Sequence, residues 1–589
     1  MDYDLKITGG TIVDGTGAPA YEGDVAVKDG RIVALGACPG DAARVIDATG
    51  AIVTPGFVDL HTHYDGQVSW DADLRPSVNH GVTTAVLGNC GVGFAPVRPQ
   101  DHDCLIRLME GVEDIPGVAL AEGLTWNWES FPDYMKAIDF PHTIDFAAMV
   151  PHDPLRVYVM GERAVHGEAA TAQDVARMRD LVREAMEAGA FGFATGRSDT
   201  HRTSDGLATP ASEATIAELS GIAEAMKGLD WGVLQAVSDF DLEKGPAEFE
   251  REFDIVEAYA ATAPDHPTSI TLMERPLDPA QWKKIVARAE AAKAKGITIR
   301  MQTAPRAVGV MVGFQCTFHP FMGHPSYKAI AHLPLAERVA RLCDPEVKAR
   351  IMAETPDKMA ADGSSVPPMV DKFLGAVDFV STMLFQLGET PDYEQPFEKS
   401  MYARAQALGV SPLSAIYDAM LEDGGRAMLY FPFSNYVEFS LDNVLTMMRH
   451  PLALAGLSDG GAHVGTVCDA SFSTFLLAYW ARDRVRGERL TIEQAVHMLT
   501  GANAAHGGFR DRGTLAVGKR ADINVIDFDR LTLKAPHMVH DLPAGGQRLL
   551  QDAVGYRATL VAGVPVIEND ELTGARPGRL VRMSELRAV

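Results

Sequence analysis

The stretch Gly56-Phe57-Val58-Asp59-Leu60-His61-Thr62-His63 decides the fold that we expect for this chain. It closes an apolar run, and the run ends in a His-x-His pair. Side chains two residues apart on a strand point to the same face. His61 and His63 are therefore predicted to project together from the carboxyl end of a buried strand, as half of a site for a divalent metal such as zinc. An ordinary polar strand end is the alternative, and the distant aspartate Asp459, in a Ser-Asp-Gly turn, favours the metal.

Strand-like and helix-like stretches alternate through the middle of the chain. The candidate strands are residues 53–60, 83–87, 145–150, 191–195, 232–237, 268–273, 298–302 and 452–457. Amphipathic stretches separate most of them, for example 172–188, 213–227 and 279–295. This alternation predicts an α/β fold in which eight βα units close into a (β/α)8 TIM barrel, with the reactive groups at the carboxyl ends of the strands.

Both chain ends carry short strands separated by turn dipeptides such as Asp29-Gly30. We expect a small β-sandwich domain built from residues 1–54 and 505–589, which leaves 55–504 for the barrel domain. The stretch 303–450 before the last strand is too long for an ordinary connection. It is expected to be an insertion over the barrel mouth, acting as a lid, with an independent domain as the alternative.

Composition limits the partners and the compartment. The net charge of -26 argues against nucleic acid and anionic membranes, so a small-molecule substrate is expected. The six cysteines contain no CxxC pair, which fits a reducing compartment. The first residues lack a signal-peptide pattern, and no apolar run is long enough to span a bilayer. We expect a cytoplasmic protein without membrane association, and a homo-oligomer is left open.

Three stretches resemble a known family. The stretch 55–63 is similar to the first-strand signature of the amidohydrolase superfamily. The stretches 88–91 (Gly-Asn-Cys-Gly) and 573–579 resemble the N-acyl-D-amino-acid deacylase (D-aminoacylase) branch. The resemblance covers nearly the whole chain. It implies a metal-dependent hydrolase that acts on carbon–nitrogen bonds other than peptide bonds.

The resemblance also assigns roles to two residues. It implies that Asp459 binds the metal and shuttles a proton, and that Cys90 is a further metal ligand. The chemistry fits, because a carboxylate beside the metal can take a proton from the attacking water and return it to the leaving amine. A thiolate is likewise a good zinc ligand. An aspartate in a plain turn and a small buried cysteine are the structural alternatives.

Three further residues are candidates for the reaction. His463 follows Asp459 by four residues, and His152 ends the third strand, so both are candidates for stabilising an oxyanion. Arg306 follows the seventh strand, where its guanidinium is able to bind a substrate carboxylate bidentately. A satisfied structural histidine and a surface arginine are the alternatives.

The sequence departs from the family at the metal site. The resemblance implies two more histidine ligands at the ends of strands five and six, but the stretches 234–239 and 270–275 contain none. One metal held by His61, His63, Asp459 and Cys90 is the simplest expectation, and a second ion is left open. Gln235, Asp239 and Glu274 are weaker candidate replacements.

The expected activity is hydrolysis of an amide bond by metal-activated water, in an N-acyl-D-amino acid or a similar N-acyl compound. Two alternatives remain. One is a hydrolase of a cyclic amide, a lactone or another amide that is not an amino-acid derivative. The other is a non-catalytic relative that uses the barrel for binding.

Overall fold

The computed structural model describes residues 1–241, 244–245, 247–359 and 368–586. Residues 360–367 of the expected insertion and 587–589 of the expected C-terminal segment lie outside the described residues. Across the described ranges, no helix is both long and apolar enough to cross a membrane.

The central sheet has eight parallel strands, each paired with its neighbour in chain order. We call them barrel strands 1 to 8: Phe57–Asp59, Val82–Leu87, Asp145–Pro151, Gly192–Arg197, Val233–Ser238, Thr268–Thr271, Ile299–Thr303 and Ala453–Ala455. Just beyond strands 1 and 8, the Asp459 N–H donates to His61 O at 3.2 Å and the His63 N–H to Gly460 O at 2.8 Å. These bonds bring the two edge strands together, so the sheet is TIM-barrel-like, and the predicted α/β class is confirmed.

The first predicted strand, 53–60, belongs to two sheets rather than one. Ile52–Pro55 pairs with Ile523–Ile526 outside the barrel, and Phe57–Asp59 is barrel strand 1. Gly56 separates them, and a Cβ there would lie 2.2 Å from Thr83 Oγ1. The single long strand expected from the apolar run was therefore wrong, because a run of buried residues does not show where a chain passes from one sheet to the next.

Strands from both chain ends share a nine-stranded sheet. Its strands are Tyr3–Ile12, Tyr21–Lys28, Arg31–Gly36, Ala42–Asp47, Ile52–Pro55, Ile523–Ile526, Tyr556–Val561, Val564–Glu568 and Glu571–Leu572. Val25, Val53, Ile523 and Leu560 belong to one apolar core. The sandwich packing and the domain boundaries at 54 and 505 stay predictions.

Helices flank the barrel strands. Their bounds are His102–Glu113, Gly117–Gly123, Phe131–Ala137, His152–Met160, Glu162–Val165, Ala172–Glu187, Ile216–Ala223, Glu248–Thr262, Gln281–Ala294, Asp442–Met448, Phe472–Phe475, Ile492–Leu499 and Gly501–Gly507. The predicted helices 172–188, 213–227 and 279–295 are confirmed. Ala172–Glu187 begins with a reciprocal capping box between Thr171 and Asp174, which explains its sharp start.

The segment between strands 7 and 8 has an antiparallel sheet and its own helices. The strands are Val308–Val312, Phe385–Gln386 and Leu429–Ser434, and the helices are Pro325–Lys328, Leu335–Leu342, Pro345–Ala353, Pro368–Gly375, Val377–Ser381, Met401–Leu408 and Pro412–Gly425. Phe314, Phe321 and Tyr417 pack in a separate apolar core. Met311, Phe385 and Tyr430 of the same segment instead belong to the main core. The lid and the independent domain both stay predictions. Two short sheets complete the chain, Thr532–Leu533 with Ala553–Val554 and His537–Val539 with Arg548–Leu550.

A buried arginine joins the C-terminal segment to the base of the barrel. Arg512 Nη1 lies 2.7 Å from Asp145 Oδ2, at the start of strand 3, and 2.8 Å from Thr84 Oγ1. We expect Arg512→Met to destabilise the fold by about 3–5 kcal/mol, because it removes one partner of a buried ion pair. The exposed pair of Arg179 with Asp180 provides the control, and Arg179→Met should cost at most about 1 kcal/mol. Urea midpoints and melting temperatures measure both, and equal losses would contradict the expected role of Arg512.

Candidate metal centre

The four predicted metal ligands meet at the carboxyl end of the barrel. His61 Nε2 lies 3.4 Å from Cys90 Sγ and 3.3 Å from Asp459 Oδ1, and His63 Nε2 lies 3.7 Å from the same carboxylate oxygen. The ligand atoms of His61, His63 and Cys90 lie within 4.8 Å of one another. All three residues are buried. Imidazole nitrogen, thiolate sulfur and carboxylate oxygen form a donor set that fits zinc.

Backbone geometry turns Cys90 toward the histidines. Cys90 has φ 56°, between Gly88 at φ 88° and Gly91 at φ 77°. A Cβ on Gly91 would lie 2.7 Å from the backbone nitrogen of Gly196, so only glycine fits against strand 4. Asn89 Nδ2 donates to Thr62 O at 3.1 Å, which ties this turn to the His-x-His segment.

The amide of Gln302, on strand 7, orients His61. Gln302 Oε1 lies 2.9 Å from His61 Nδ1, and Gln302 Nε2 donates to Ser269 Oγ at 3.1 Å. An amide oxygen only accepts, so Nδ1 carries the proton and Nε2 presents its lone pair to Cys90 and Asp459. The chain thereby fixes the tautomer that metal binding needs.

The centre holds acidic groups without a basic partner. Burial raises the pKa of Asp59 to about 6, raises those of Asp65 and Asp459 to about 7, and raises the pKa of Glu113 well above its usual range. Burial also raises the pKa of the Cys90 thiol. In the part of the chain that the structure describes, no lysine or arginine forms an ion pair with these carboxylates. A divalent cation would supply the missing positive charge.

The imidazoles of the centre are held neutral. Burial lowers the pKa of His61 to about 4 and that of His63 well below its usual range. Neutral imidazoles keep the lone pair that a metal requires. His463 lies at the rim, with its side chain 28% exposed and Nε2 3.6 Å from Glu113 Oε2. His201, after strand 4, is half-buried and close enough to lower the pKa of His63 and His463.

His152 lies in a buried hydrogen-bonded network with Thr195 and Glu218. It is fully buried, with Nδ1 2.9 Å from Thr195 Oγ1 and Nε2 3.1 Å from Glu218 Oε1 on helix Ile216–Ala223. Both ring nitrogens are engaged. The structure places His152 in these two contacts, and the catalytic role predicted for it stays a prediction.

Arg306 lies in a buried contact with Asp469 and aromatic rings. It is fully buried, its Nη2 donates to Asp469 Oδ1 at 2.9 Å, and its guanidinium carbon lies 3.8 Å above the centre of the Tyr393 ring. These contacts with an aspartate and aromatic rings stabilise the packing after strand 7. Within the described ranges Arg306 Nε and Nη1 have no hydrogen-bond partner, and the substrate-binding role stays a prediction.

Glu274 and Asp239, two of the weaker candidate ligands, form hydrogen bonds with other residues. Glu274 accepts from Asn443 Nδ2 at 2.6 Å and from the Val437 N–H at 3.1 Å. Asp239 accepts from the Asp199 N–H at 2.7 Å, and its acidic neighbour Asp241 pairs with Lys244 and Arg251.

Gln235 is buried, and among the residues that the structure describes its amide oxygen has no hydrogen-bond partner. The half-buried side chains at the ends of strands 5 and 6 are Val237 and Met273, which offer no imidazole.

Two residues that contact the metal-binding histidines were not predicted from the sequence. Glu113 ends helix His102–Glu113 and lies 3.2 Å from His63 through Oε1 and Nδ1. Gln302 lies inside strand 7. Neither belongs to a motif; the one available signal was that Gln302 stands at the carboxyl end of a predicted barrel strand.

Fold and centre together define a metal-dependent hydrolase with a TIM-barrel-like fold. A family model described as "Amidohydrolase family" matches residues 44–567. The chain belongs to the amidohydrolase family.

Two curated relatives match nearly the full length of the chain. The D-aminoacylase of Alcaligenes xylosoxydans xylosoxydans is 26% identical over 584 residues, which cover 98% of this chain and 97% of that protein. The N-acyl-D-glutamate deacylase of the same organism is 28% identical over 599 residues, covering 98% and 96%. The predicted resemblance to the N-acyl-D-amino-acid deacylases is thereby confirmed.

A solved structure of another deacylase is also similar over nearly the full length of this chain. The crystal structure of N-acyl-D-glutamate deacylase from Bordetella bronchiseptica, complexed with zinc and a phosphonate inhibitor, is similar with a TM-score of 0.64. The identity is 25%, and the match covers 99% of this chain and 100% of that one.

Replacing both histidines of the His-x-His pair tests the metal centre. We expect His61→Asn with His63→Asn to lower the bound zinc from about one ion per chain to a trace, because two of four donors are lost. Metal analysis after purification without chelator measures the content, and circular dichroism checks the fold. The exposed pair His166→Asn with His332→Asn is the matched control. Unchanged metal content in the first variant would contradict this centre.

Proposed function

We propose that this chain hydrolyses the amide bond of an N-acyl-D-amino acid or a closely similar N-acyl compound, with one zinc ion. The observation that carries the proposal is the convergence of His61, His63, Cys90 and Asp459 within a few ångströms at the barrel mouth. The zinc and the phosphonate inhibitor of the Bordetella relative, described as a mimic of the tetrahedral intermediate, support the same chemistry here.

His61, His63 and Cys90 would hold the ion, with Asp459 beside it. When bound, the ion supplies a Lewis acid that polarises the carbonyl and makes water nucleophilic near neutral pH. Asp459 Oδ1 accepts the proton from the attacking water and then donates it to the leaving nitrogen. Its pKa, raised to about 7 by burial, suits a group that both takes and returns a proton. Its side chain is 17% exposed, so it is reachable from the mouth.

His463 is the residue that we assign to the oxyanion. Its ring lies at the rim, and burial, with a contribution from nearby His201, lowers its pKa to about 3, so it acts as a neutral donor. Because Nε2 faces Glu113 Oε2 at 3.6 Å, the N–H that stabilises the developing negative charge is the one on Nδ1.

The ends of strands 5 and 6 support a single ion. Val237 has no donor atom, and the thioether of Met273 is a poor zinc ligand. Met273 packs with Phe433 of the insertion against the apolar cluster of Val308, Leu457 and Phe472. This apolar wall, where the sequence lacks the expected histidines, supports a substrate whose side chain or acyl group on that side is apolar.

A cytoplasmic location fits the same proposal. The six cysteines are free in the structure, as expected in a reducing compartment. The proposed substrate is a small molecule.

A substrate panel tests the proposal. We expect zinc-loaded enzyme to release free amino acid from N-acetyl-D-leucine, N-acetyl-D-methionine or N-acetyl-D-phenylalanine faster than from the D-aspartate and D-glutamate derivatives, because the wall is apolar. The L-isomers, a hydantoin and a lactone complete the panel, and amine release or ring opening is measured by chromatography. Turnover of the hydantoin or lactone without turnover of any D-isomer would favour the alternative hydrolase, and no turnover at all would favour a binding protein.

The proton-transfer role of Asp459 is tested by Asp459→Asn. We expect kcat to fall by about 10²–10⁴-fold, the usual value of a general acid–base. Zinc content should remain, because three other donors hold the ion. Asp103→Asn, on an exposed position of helix His102–Glu113, is the control and should leave kcat unchanged. Near-normal kcat in the Asp459 variant would show that another group moves the proton.

A further inference from the structure

We propose that Glu113 is a positioning residue that bridges two imidazoles of the centre, His63 and His463. It orients His63 for metal binding and holds His463 at the mouth. The inference about His463 rests on the proposed function; the inference about His63 rests on metal binding alone.

The geometry of Glu113 is specific to these two rings. Oε1 lies 3.2 Å from His63 Nδ1 and Oε2 lies 3.6 Å from His463 Nε2. The side chain is 1% exposed, and within the described ranges its ion pairs are with these histidines alone. A buried carboxylate without a basic residue beside it is costly to keep, so its position calls for a function.

The helix around Glu113 explains how the carboxylate is placed. Leu105, Leu108, Met109 and Val112 form the buried apolar face of the helix, and Glu113 is the one acidic residue buried with them. The helix stops at Asp114, which has φ 54°. The Glu113 carboxylate is therefore positioned by the C-terminal end of helix His102–Glu113.

Asp114 fixes the helix end to the loop that carries His463. Its Oδ2 accepts from the Gly465 N–H at 3.2 Å and from Thr317 Oγ1 at 2.9 Å. The Thr317 N–H in turn donates to Gly465 O at 3.1 Å. The end of helix His102–Glu113, the loop that carries His463 and the insertion are therefore hydrogen-bonded to one another next to Glu113. These bonds fix the distance between Glu113 and His463.

The bridge favours one tautomer of His63. Glu113 Oε1 lies 3.2 Å from Nδ1 as a charge contact outside hydrogen-bond geometry. A carboxylate at that position favours the proton on Nδ1, which leaves the Nε2 lone pair for the metal. His61 receives the same orientation from the neutral amide of Gln302. The two ligands thus differ in their supports. Once a bound cation keeps Glu113 ionised, its carboxylate makes His63 the more strongly donating imidazole.

Zinc affinity tests the bridge without reference to any substrate. We expect Glu113→Ala and Glu113→Gln to weaken zinc binding by about 10–100-fold, the usual effect of losing a carboxylate behind a metal-binding histidine. Competition with a chromophoric chelator measures the dissociation constant. The matched control is Glu110→Gln, one turn earlier on the same helix, where the carboxylate only accepts from the Gly117 N–H at 2.9 Å. An unchanged dissociation constant in both Glu113 variants would overturn the proposal.

Kinetics with saturating zinc test the second half of the bridge. On whichever N-acyl substrate is turned over, we expect the Glu113 variants to lower kcat more than they raise KM, because His463 loses its position at the reacting carbonyl. A rise in KM with unchanged kcat would overturn this part. If the wild type binds zinc but turns over no N-acyl compound, the proposed function fails while the zinc result still decides the bridge. Should Glu113→Ala fail to fold by circular dichroism, the isosteric Glu113→Gln decides alone.

Discussion

The structure depends on the contact between the chain segments just beyond barrel strands 1 and 8. The Asp459 N–H donates to His61 O, the His63 N–H donates to Gly460 O, and the Ser458 hydroxyl bonds to His61 O. These bonds join segments about four hundred residues apart in sequence, and they place a carboxylate against two imidazoles. Without these bonds the eight strands would still be present, but Asp459 would no longer lie against His61 and His63.

In a parallel barrel the reactive groups lie at the carboxyl ends of the strands, and this rule explains how much of the metal centre the sequence could predict. His61, His63, Cys90 and Asp459 each follow a predictable apolar strand, so their convergence follows from the parallel fold. The same rule could not predict the contacts of His152 with Thr195 and Glu218, because it gives the end of the sheet at which a residue lies but not which neighbours its side chain meets. All eight strands were predictable, whereas the break at Gly56 depended on packing against Thr83, which leaves no mark in a run of apolar residues.

The groups that orient the ligands were beyond sequence reasoning for a different reason. Glu113 sits in an amphipathic helix, where an acidic residue normally indicates the solvent face. Its carboxylate lies 3.6 Å from His463, which is more than three hundred residues away in sequence. Gln302 is one polar residue in a buried strand, and only its 2.9 Å contact with His61 identifies its role. The sequence identifies the residues that carry the metal-binding atoms, whereas the tertiary structure identifies the residues that orient them.

Charge explains why these supports matter. The net charge of -26 describes the surface, but the centre contains its own excess of buried carboxylates with no arginine or lysine paired to them. An unpaired buried carboxylate is stable only when protonated or when a cation is close. Asp59, Asp65, Glu113 and Asp459 therefore share one requirement, which a single divalent ion held by His61, His63 and Cys90 would meet. Val237 and Met273, at the ends of strands 5 and 6, add no donor atom to this set.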